Sequence, residues 1–296
     1  MATISTTLST LNRDNFKAVA RTLTIVENDL DGAADLLKDL RFNKNVPIIG
    51  ITGPPGAGKS TLVNSLIGNL INTGHKVAVL AIDPTSPFNF GSLLGDRIRM
   101  AAHFNHPNVF IRSLATRGSL GGLSAKTIEM ADVLRAAEFD YIFIETVGVG
   151  QSEIEIAGLA DITMVVLVPE SGDEIQNIKS GLMEIADAFI INKADRDGAD
   201  LFANNLKKLV AQKDDKLPVF KTVASQNVGI NEIIEFITST KQQPNNRKRL
   251  LLAEKAYRMI QQKRMADIDK RQLQQAIIKA LDSPNFNLYN FVDRYC

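Results

Sequence analysis

The sequence predicts an α/β fold: a central, mostly parallel β-sheet flanked by helices, with a helical segment added at each end. Three observations carry this expectation. Seven short apolar runs, VPIIGIT, KVAVLAID, NVFIRSL, YIFIET, ITMVVLV, AFIIN and LPVFKTV, are separated by stretches long enough to form helices. Strands buried on both faces read as continuous apolar runs rather than alternating ones, and helical crossovers are what join parallel neighbours. The first run ends at Thr52 in a glycine-rich turn that leads into the helical stretch TLVNSLIGNLI. The composition, 45% hydrophobic and 23% charged over 296 residues, excludes a disordered or collagen-like chain.

Taken in order, residues 1–42 form an N-terminal helical extension. Arg13 to Leu40 carries Val19, Leu23, Val26, Leu30, Leu36 and Leu37 at helical spacing without a proline, which predicts one or two helices. Residues 43–242 hold the seven strand candidates and form the main domain. The breaker-rich QQPNNRK around Pro244 reads as a linker. Residues 243–296 then become rich in Lys, Arg, Gln and Leu, the pattern of an amphipathic helical arm. The overall net charge is only +1, yet Lys241 to Cys296 contains twelve basic and five acidic residues. These basic residues alternate with apolar ones, which fits a solvated face over a packing stripe rather than a nucleic-acid site. The stripe of Leu252, Met259, Leu273, Ile277 and Leu281 has little of its own to cover it, so a homodimer is expected. No apolar run approaches the roughly 20 residues of a membrane helix, and the start MATISTTLSTLN lacks a basic segment followed by an apolar one. The single cysteine, Cys296, excludes an intramolecular disulfide framework. A cytoplasmic protein without membrane or nucleic-acid partners is expected.

Gly53-Pro54-Pro55-Gly56-Ala57-Gly58-Lys59-Ser60 is a full G-x-x-x-x-G-K-[ST] match between a strand and a helix. Glycines let backbone N–H groups wrap phosphates, the Lys reaches the β and γ oxygens, and the hydroxyl serves Mg²⁺ where the helix dipole favours anions. Gly53, Pro55, Gly56, Ala57, Gly58, Lys59, Ser60 and the following Thr61 are therefore candidate nucleotide-binding residues.

The strand AFIIN runs into Asn192-Lys193-Ala194-Asp195, an N-K-x-D pattern. An Asp carboxylate there can accept from both N1–H and the 2-amino group of guanine, a pair that adenine does not offer, while the Lys193 stem covers the ring face. Thr222-Val223-Ala224-Ser225 follows the next strand, at a point where many GTPases bring a Ser-Ala backbone toward guanine O6. Val223 replaces that Ser, so Ala224 alone carries the comparison. The expected ligands are GTP and GDP with Mg²⁺.

Glu145-Thr146-Val147-Gly148 closes another strand as a D-x-x-G-like element with Glu for Asp. Glu145 is expected beside Mg²⁺ and Gly148 N–H near the γ-phosphate. Asp83, ending the strand KVAVLAID, and Asp96 are further carboxylates for the metal shell alongside Ser60, though both also suit helix capping. Val149 follows Gly148 where a small GTPase carries a water-orienting Gln, so intrinsic hydrolysis should be slow. Two other classes fit part of this pattern: a metallochaperone GTPase, which should show a Cys/His metal site, and a small-molecule kinase, for which NKAD would be accidental.

Together with these motifs, ETVGVGQSE, DPTSP from Asp83, GSLLGDRIRM, SLATRGSLGGLS and GDEIQNIKSG resemble the MeaB/ArgK-like (methylmalonic aciduria type A protein-like) GTPases of the SIMIBI class. The resemblance spans roughly residues 43–240. It implies a P-loop GTPase, usually homodimeric, that chaperones a coenzyme B12-dependent acyl-CoA mutase of the methylmalonyl-, isobutyryl- or hydroxyisobutyryl-CoA type. Such a protein gates cofactor loading, protects the mutase and helps expel inactivated cobalamin. The resemblance also implies a third switch at Asp173, Gln176 and Lys179. With Val149 in place of a water-orienting Gln, a cation brought toward the phosphates is expected to complete the site, with Lys179 as the candidate and Arg117 as its rival. Two departures stand out: Phe90 occupies a place where relatives commonly have Gly, and the C-terminal region is short.

Overall fold

The computed structural model describes residues 8–41, 45–83, 100–115, 125–146, 152–170, 182–212, 217–240, 246–265, 267–283 and 286–295. The chain divides into two compact units, residues 1–248 and 249–296. In the first, all seven expected strands form one sheet: β1 (Ile48–Thr52), β2 (Val77–Asp83), β3 (Val109–Ala115), β4 (Tyr141–Glu145), β5 (Ile162–Leu167), β6 (Ala188–Ile191) and β7 (Val219–Lys221). Their spatial order is β3-β2-β4-β1-β5-β6-β7, and every neighbouring pair is parallel. β1 therefore lies between β4 and β5, in register Ile51 with Glu145 on one side and with Met164 on the other.

Every residue of β1, β5 and β6 is buried, which explains their unbroken apolar runs. Alternate side chains feed opposite faces. Met164 and Val166 join a core beneath α3 (Lys59–Asn72), with Leu62, Leu66, Ile67 and Leu70. Val165 and Leu167 join the other core beneath α6 (Ala199–Ala211), with Phe202, Leu206 and Val210. Between these helices come α4 (Ala125–Ala136) and α5 (Ser152–Leu159), and α7 (Ile230–Ser239) completes the layer. α5 sits very close to β1. A Cβ built on Gly50 would lie 2.7 Å from Ile156 Cγ1 and 3.0 Å from Ala160 Cβ.

The N-terminal pattern forms two helices, α1 (Phe16–Glu27) and α2 (Ala33–Asp39), interrupted at the polar Asn28–Gly32 turn. Asn15 Oδ1 caps α1 by accepting from Ala18 N at 3.1 Å. Phe16 packs against Phe110 of the edge strand and Phe139, with ring centroids 5.6 and 6.1 Å away. Ion pairs Glu27–Arg112 and Asp29–Lys126 fasten the helix end to β3 and α4. At the N-terminal edge of the sheet, the buried Arg135–Asp161 pair links α4 to β5. Arg135 Nε donates to Val46 O at 3.2 Å, and Asp161 Oδ2 accepts from Ile48 N at 2.9 Å.

The C-terminal segment is helical as expected: α8 (Asn246–Arg264), α9 (Lys270–Leu281) and α10 (Leu288–Val292). Asp269 caps α9 by accepting from Arg271 N and Gln272 N, both at 2.8 Å. Leu252, Met259 and Leu281 of the stripe are exposed, and Leu273 and Ile277 are half-buried. Among the described residues no helix is long and apolar enough to cross a membrane.

Candidate nucleotide site

β1 delivers the chain into the glycine loop at the C-terminal end of the sheet, the edge where open parallel sheets hold ligands. Two glycines are required there by geometry. Gly53 has φ +132° and a Cβ on it would stand 2.0 Å from Val166 O. Gly58 has φ +85° and a Cβ would meet Asn192 Nδ2 at 2.4 Å. Past Gly58 the chain enters α3, whose first turn presents Lys59, Ser60 and the exposed Thr61. Pro55 and Gly56 are exposed at the loop crest, and Ala57 is buried beneath it.

Lys59 is 6% exposed and curls over the loop, its Nζ donating to Gly53 O at 2.8 Å and Pro54 O at 2.9 Å. Ser60 Oγ donates to Glu145 Oε1 at 2.6 Å, so the end of β4 meets the start of α3 in a buried hydroxyl–carboxylate pair. Beside it, Thr146 Oγ1 donates to Thr52 Oγ1 at 2.9 Å. Hydroxyl and carboxylate oxygens are the donors that Mg²⁺ prefers, so Ser60 and Glu145 fit a hard divalent cation.

The N-K-x-D segment is tied directly to this loop. Asn192 is buried; its Nδ2 donates to Ala57 O at 2.9 Å, and its Oδ1 accepts from Thr222 Oγ1 at 3.2 Å and Ala224 N at 3.1 Å. One amide thus joins the ends of β6 and β7 to the phosphate loop. Lys193 takes an unusual φ of +56°, and its Nζ donates to Gly56 O at 2.7 Å. Ala194 N donates to Thr222 O at 3.0 Å, and Asp195 is exposed. Just beyond, Arg196 pairs with Glu170 past β5. Its hydrogen bond to Glu170 holds that carboxyl below the ordinary carboxylate range.

The structure thus brings together Gly53, Ala57, Gly58, Lys59, Ser60, Glu145, Asn192, Lys193 and Ala224. Asp83 ends β2 opposite Ala115, and its side chain lies outside the described residues. Asp96, Gly148, Lys179, Asp173, Gln176 and Arg117 also lie outside them. Two participants escaped the sequence reading. The bond from Thr222 to Asn192 shows only in the fold, as does that of Ser65, whose Oγ donates to Ala224 O at 2.6 Å. The one available signal for Ser65 was a small hydroxyl on the otherwise apolar face of TLVNSLIGNLI. Of the histidines, His103 Nε2 lies 3.3 Å from Asn64 O. Among the described residues no group of three or more His, Cys, Asp or Glu side chains is placed to hold a metal ion.

A strand–glycine loop–helix unit joined through an asparagine to an N-K-x-D segment defines a P-loop GTPase, an enzyme that hydrolyses GTP to GDP and phosphate. The family is equally definite: residues 19–281 match the model described as "Methylmalonyl Co-A mutase-associated GTPase MeaB", and the chain belongs to that family. It is 50% identical over 231 residues to a putative GTPase of Pyrococcus abyssi, covering 75% of this chain and 71% of that protein. It is 45% identical over 149 residues to the mitochondrial methylmalonic aciduria type A homolog of Mus musculus, covering 50% of this chain and 36% of that one. A crystal structure titled LAO/AO transport system kinase superposes with a TM-score of 0.69 at 24% identity, covering 98% and 95% of the two chains, and shares the fold.

Proposed function

We propose that this GTPase is a chaperone of a coenzyme B12-dependent acyl-CoA mutase, gating cobalamin loading, protection and reactivation. The observation that carries this is the family match over residues 19–281, whose description names association with methylmalonyl-CoA mutase. In this reading the backbone N–H groups of Gly53–Gly58 and the start of α3 hold the phosphates. Lys59 exchanges the carbonyls of Gly53 and Pro54 for the β and γ oxygens. Ser60 and Glu145, with Asp83 and Asp96, hold Mg²⁺, which neutralises phosphate charge when bound. Asp195 reads N1–H and the 2-amino group, the Lys193 stem covers the ring, and the Ala224 turn faces O6. Gly148 senses the γ-phosphate. The exposed Leu252, Met259 and Leu281 support a homodimer formed through residues 243–296.

Val149 offers no side-chain amide to orient the attacking water, so the slow step is completed when the mutase brings a cation forward. Lys179 is that cation, and Arg117 is its rival. A positioned cation of this kind is worth about 10³ to 10⁵ in rate. Single-turnover GTP hydrolysis with and without methylmalonyl-, isobutyryl- and hydroxyisobutyryl-CoA mutases tests the proposal. One mutase should accelerate wild type, and Lys179→Ala should lose that acceleration while retaining GTP binding. No acceleration by any of the three, or turnover of a small acceptor in their place, would overturn the chaperone reading. Loss only in Arg117→Ala would move the catalytic role there.

A further inference from the structure

Ser65 lies five residues, about 1.4 helical turns, beyond Ser60 on α3. It is 8% exposed, and its hydroxyl donates to Ala224 O at 2.6 Å across 159 residues of sequence. Ala224 opens the short turn Ala224–Gln226 after β7, and its own N–H is already taken by Asn192 Oδ1 at 3.1 Å. The Asn227 N–H reaches the same carbonyl at 3.3 Å, a longer bond than that from Ser65. A trans peptide is planar, with its C=O and the following N–H pointing in opposite directions, and the described chain has no cis peptide. Fixing the Ala224 carbonyl toward α3 therefore turns the Ser225 N–H the other way, and Ser225 is exposed.

We infer that Ser65 is a positioning residue for base recognition: by anchoring the Ala224 carbonyl, it holds the Ala224–Ser225 peptide so that the Ser225 N–H donates to the 6-oxo group of guanine. The inference rests on the reading of Asn192 and Asp195 as the guanine-binding pair. It assigns the 6-oxo donor to the peptide between Ala224 and Ser225, since Asn192 already holds the Ala224 N–H. The helix that opens on the phosphates thereby also sets the loop that reads the base.

The test measures Kd for GDP, 6-thio-GDP and IDP with wild type, Ser65→Ala and Ser65→Thr. The 6-thio analogue keeps N1–H and the 2-amino group and replaces only the 6-oxo oxygen with a poorer acceptor. IDP keeps the 6-oxo group and loses the 2-amino group that Asp195 accepts from. Wild type should prefer GDP over 6-thio-GDP by about tenfold, the worth of one hydrogen bond in a partly desolvated site. Ser65→Ala should bind GDP about tenfold more weakly and bring that preference close to one, with the GDP-to-IDP ratio unchanged. Ser65→Thr, which keeps the hydroxyl, should restore the preference. Undiminished discrimination against 6-thio-GDP in Ser65→Ala would overturn the inference. So would an equal fall in both ratios, which marks general loosening of the site. Wild type that distinguishes neither analogue from GDP would instead remove the guanine reading on which it rests.

Discussion

Gly56 and Gly58 have nearly the same backbone twist but very different surroundings, so Ala substitutions there separate local strain from a lost contact. Their φ values are +79° and +85°; a Cβ on Gly56 meets nothing within 4 Å, whereas one on Gly58 would stand 2.4 Å from Asn192 Nδ2. Left-handed backbone costs an L-residue about 1–2 kcal/mol, and Gly56→Ala should lose that much stability. Gly58→Ala bears the same cost and also drives the Asn192 amide off Ala57 O. A buried donor or acceptor left without a partner costs about 1–3 kcal/mol, so the total is about 2–5 kcal/mol. The excess of Gly58→Ala over Gly56→Ala corresponds to about 5- to 150-fold in the folding equilibrium. Urea unfolding of the nucleotide-free protein reads this without interference from phosphate contacts. In an Asn192→Ala background the obstruction is gone, and adding Gly58→Ala should cost only about 1–2 kcal/mol. Equal losses for the two glycine variants, or the same Gly58→Ala penalty with and without the Asn192 amide, would refute the reasoning.

Asp195→Asn should weaken GTP and strengthen XTP binding, because xanthine offers a carbonyl where guanine has an amine; competition titrations read both, and ATP binding as tight as GTP in wild type would contradict the assignment. Lys59→Ala should abolish tight nucleotide binding, whereas Glu145→Ala should mainly reduce Mg²⁺-dependent turnover. Unchanged Mg²⁺ dependence by phosphate release would remove Glu145 from the site. Arg135→Ala should cost about 3–5 kcal/mol, since it removes the cation that balances the buried Asp161 carboxylate; a urea midpoint close to wild type would argue against it. Burial, reinforced by the Asp140 carboxylate, raises the Tyr141 phenol above its ordinary value of 10.0. A raised folded pKa favours folding while the phenol stays protonated, so that contribution is intact below about 10 and is lost as pH rises through the folded value. Phenolate absorbance missing from Tyr141→Phe should therefore fall in the upper part of the alkaline titration.

The strands were legible because burial on both faces leaves no polar position to interrupt them: ITMVVLV and AFIIN became β5 and β6 with every residue inside. The phosphate loop was legible because its chemistry is contiguous, and Asn192 because its motif is. The break between α1 and α2 was less so, since Leu30 continues the helical spacing across Asn28–Gly32, yet it is 48% exposed in the structure. Ser65 was hidden for a different reason. Its partner is a main-chain carbonyl 159 residues away, and a carbonyl has no letter of its own in a sequence. The same holds for Lys59 and Lys193, whose motif positions were plain but whose bonds to Gly53, Pro54 and Gly56 carbonyls depend on the fold.

Gly50 leaves a bare stretch of main chain in the middle of β1, and the height of α5 above the sheet is set by Ile156 resting on it. A methyl group at residue 50 would act as a shim, forcing Ile156 outward by several tenths of an ångström or more, because real Cβ atoms essentially never approach within 3.0 Å. α5 runs from Ser152 to Leu159, so the shim would displace that helix without altering any side chain in it. Gly50 is thus a mounting point of adjustable thickness: the clearance beneath one helix is set on the face of the strand that the helix rests on, by a residue outside the phosphate loop.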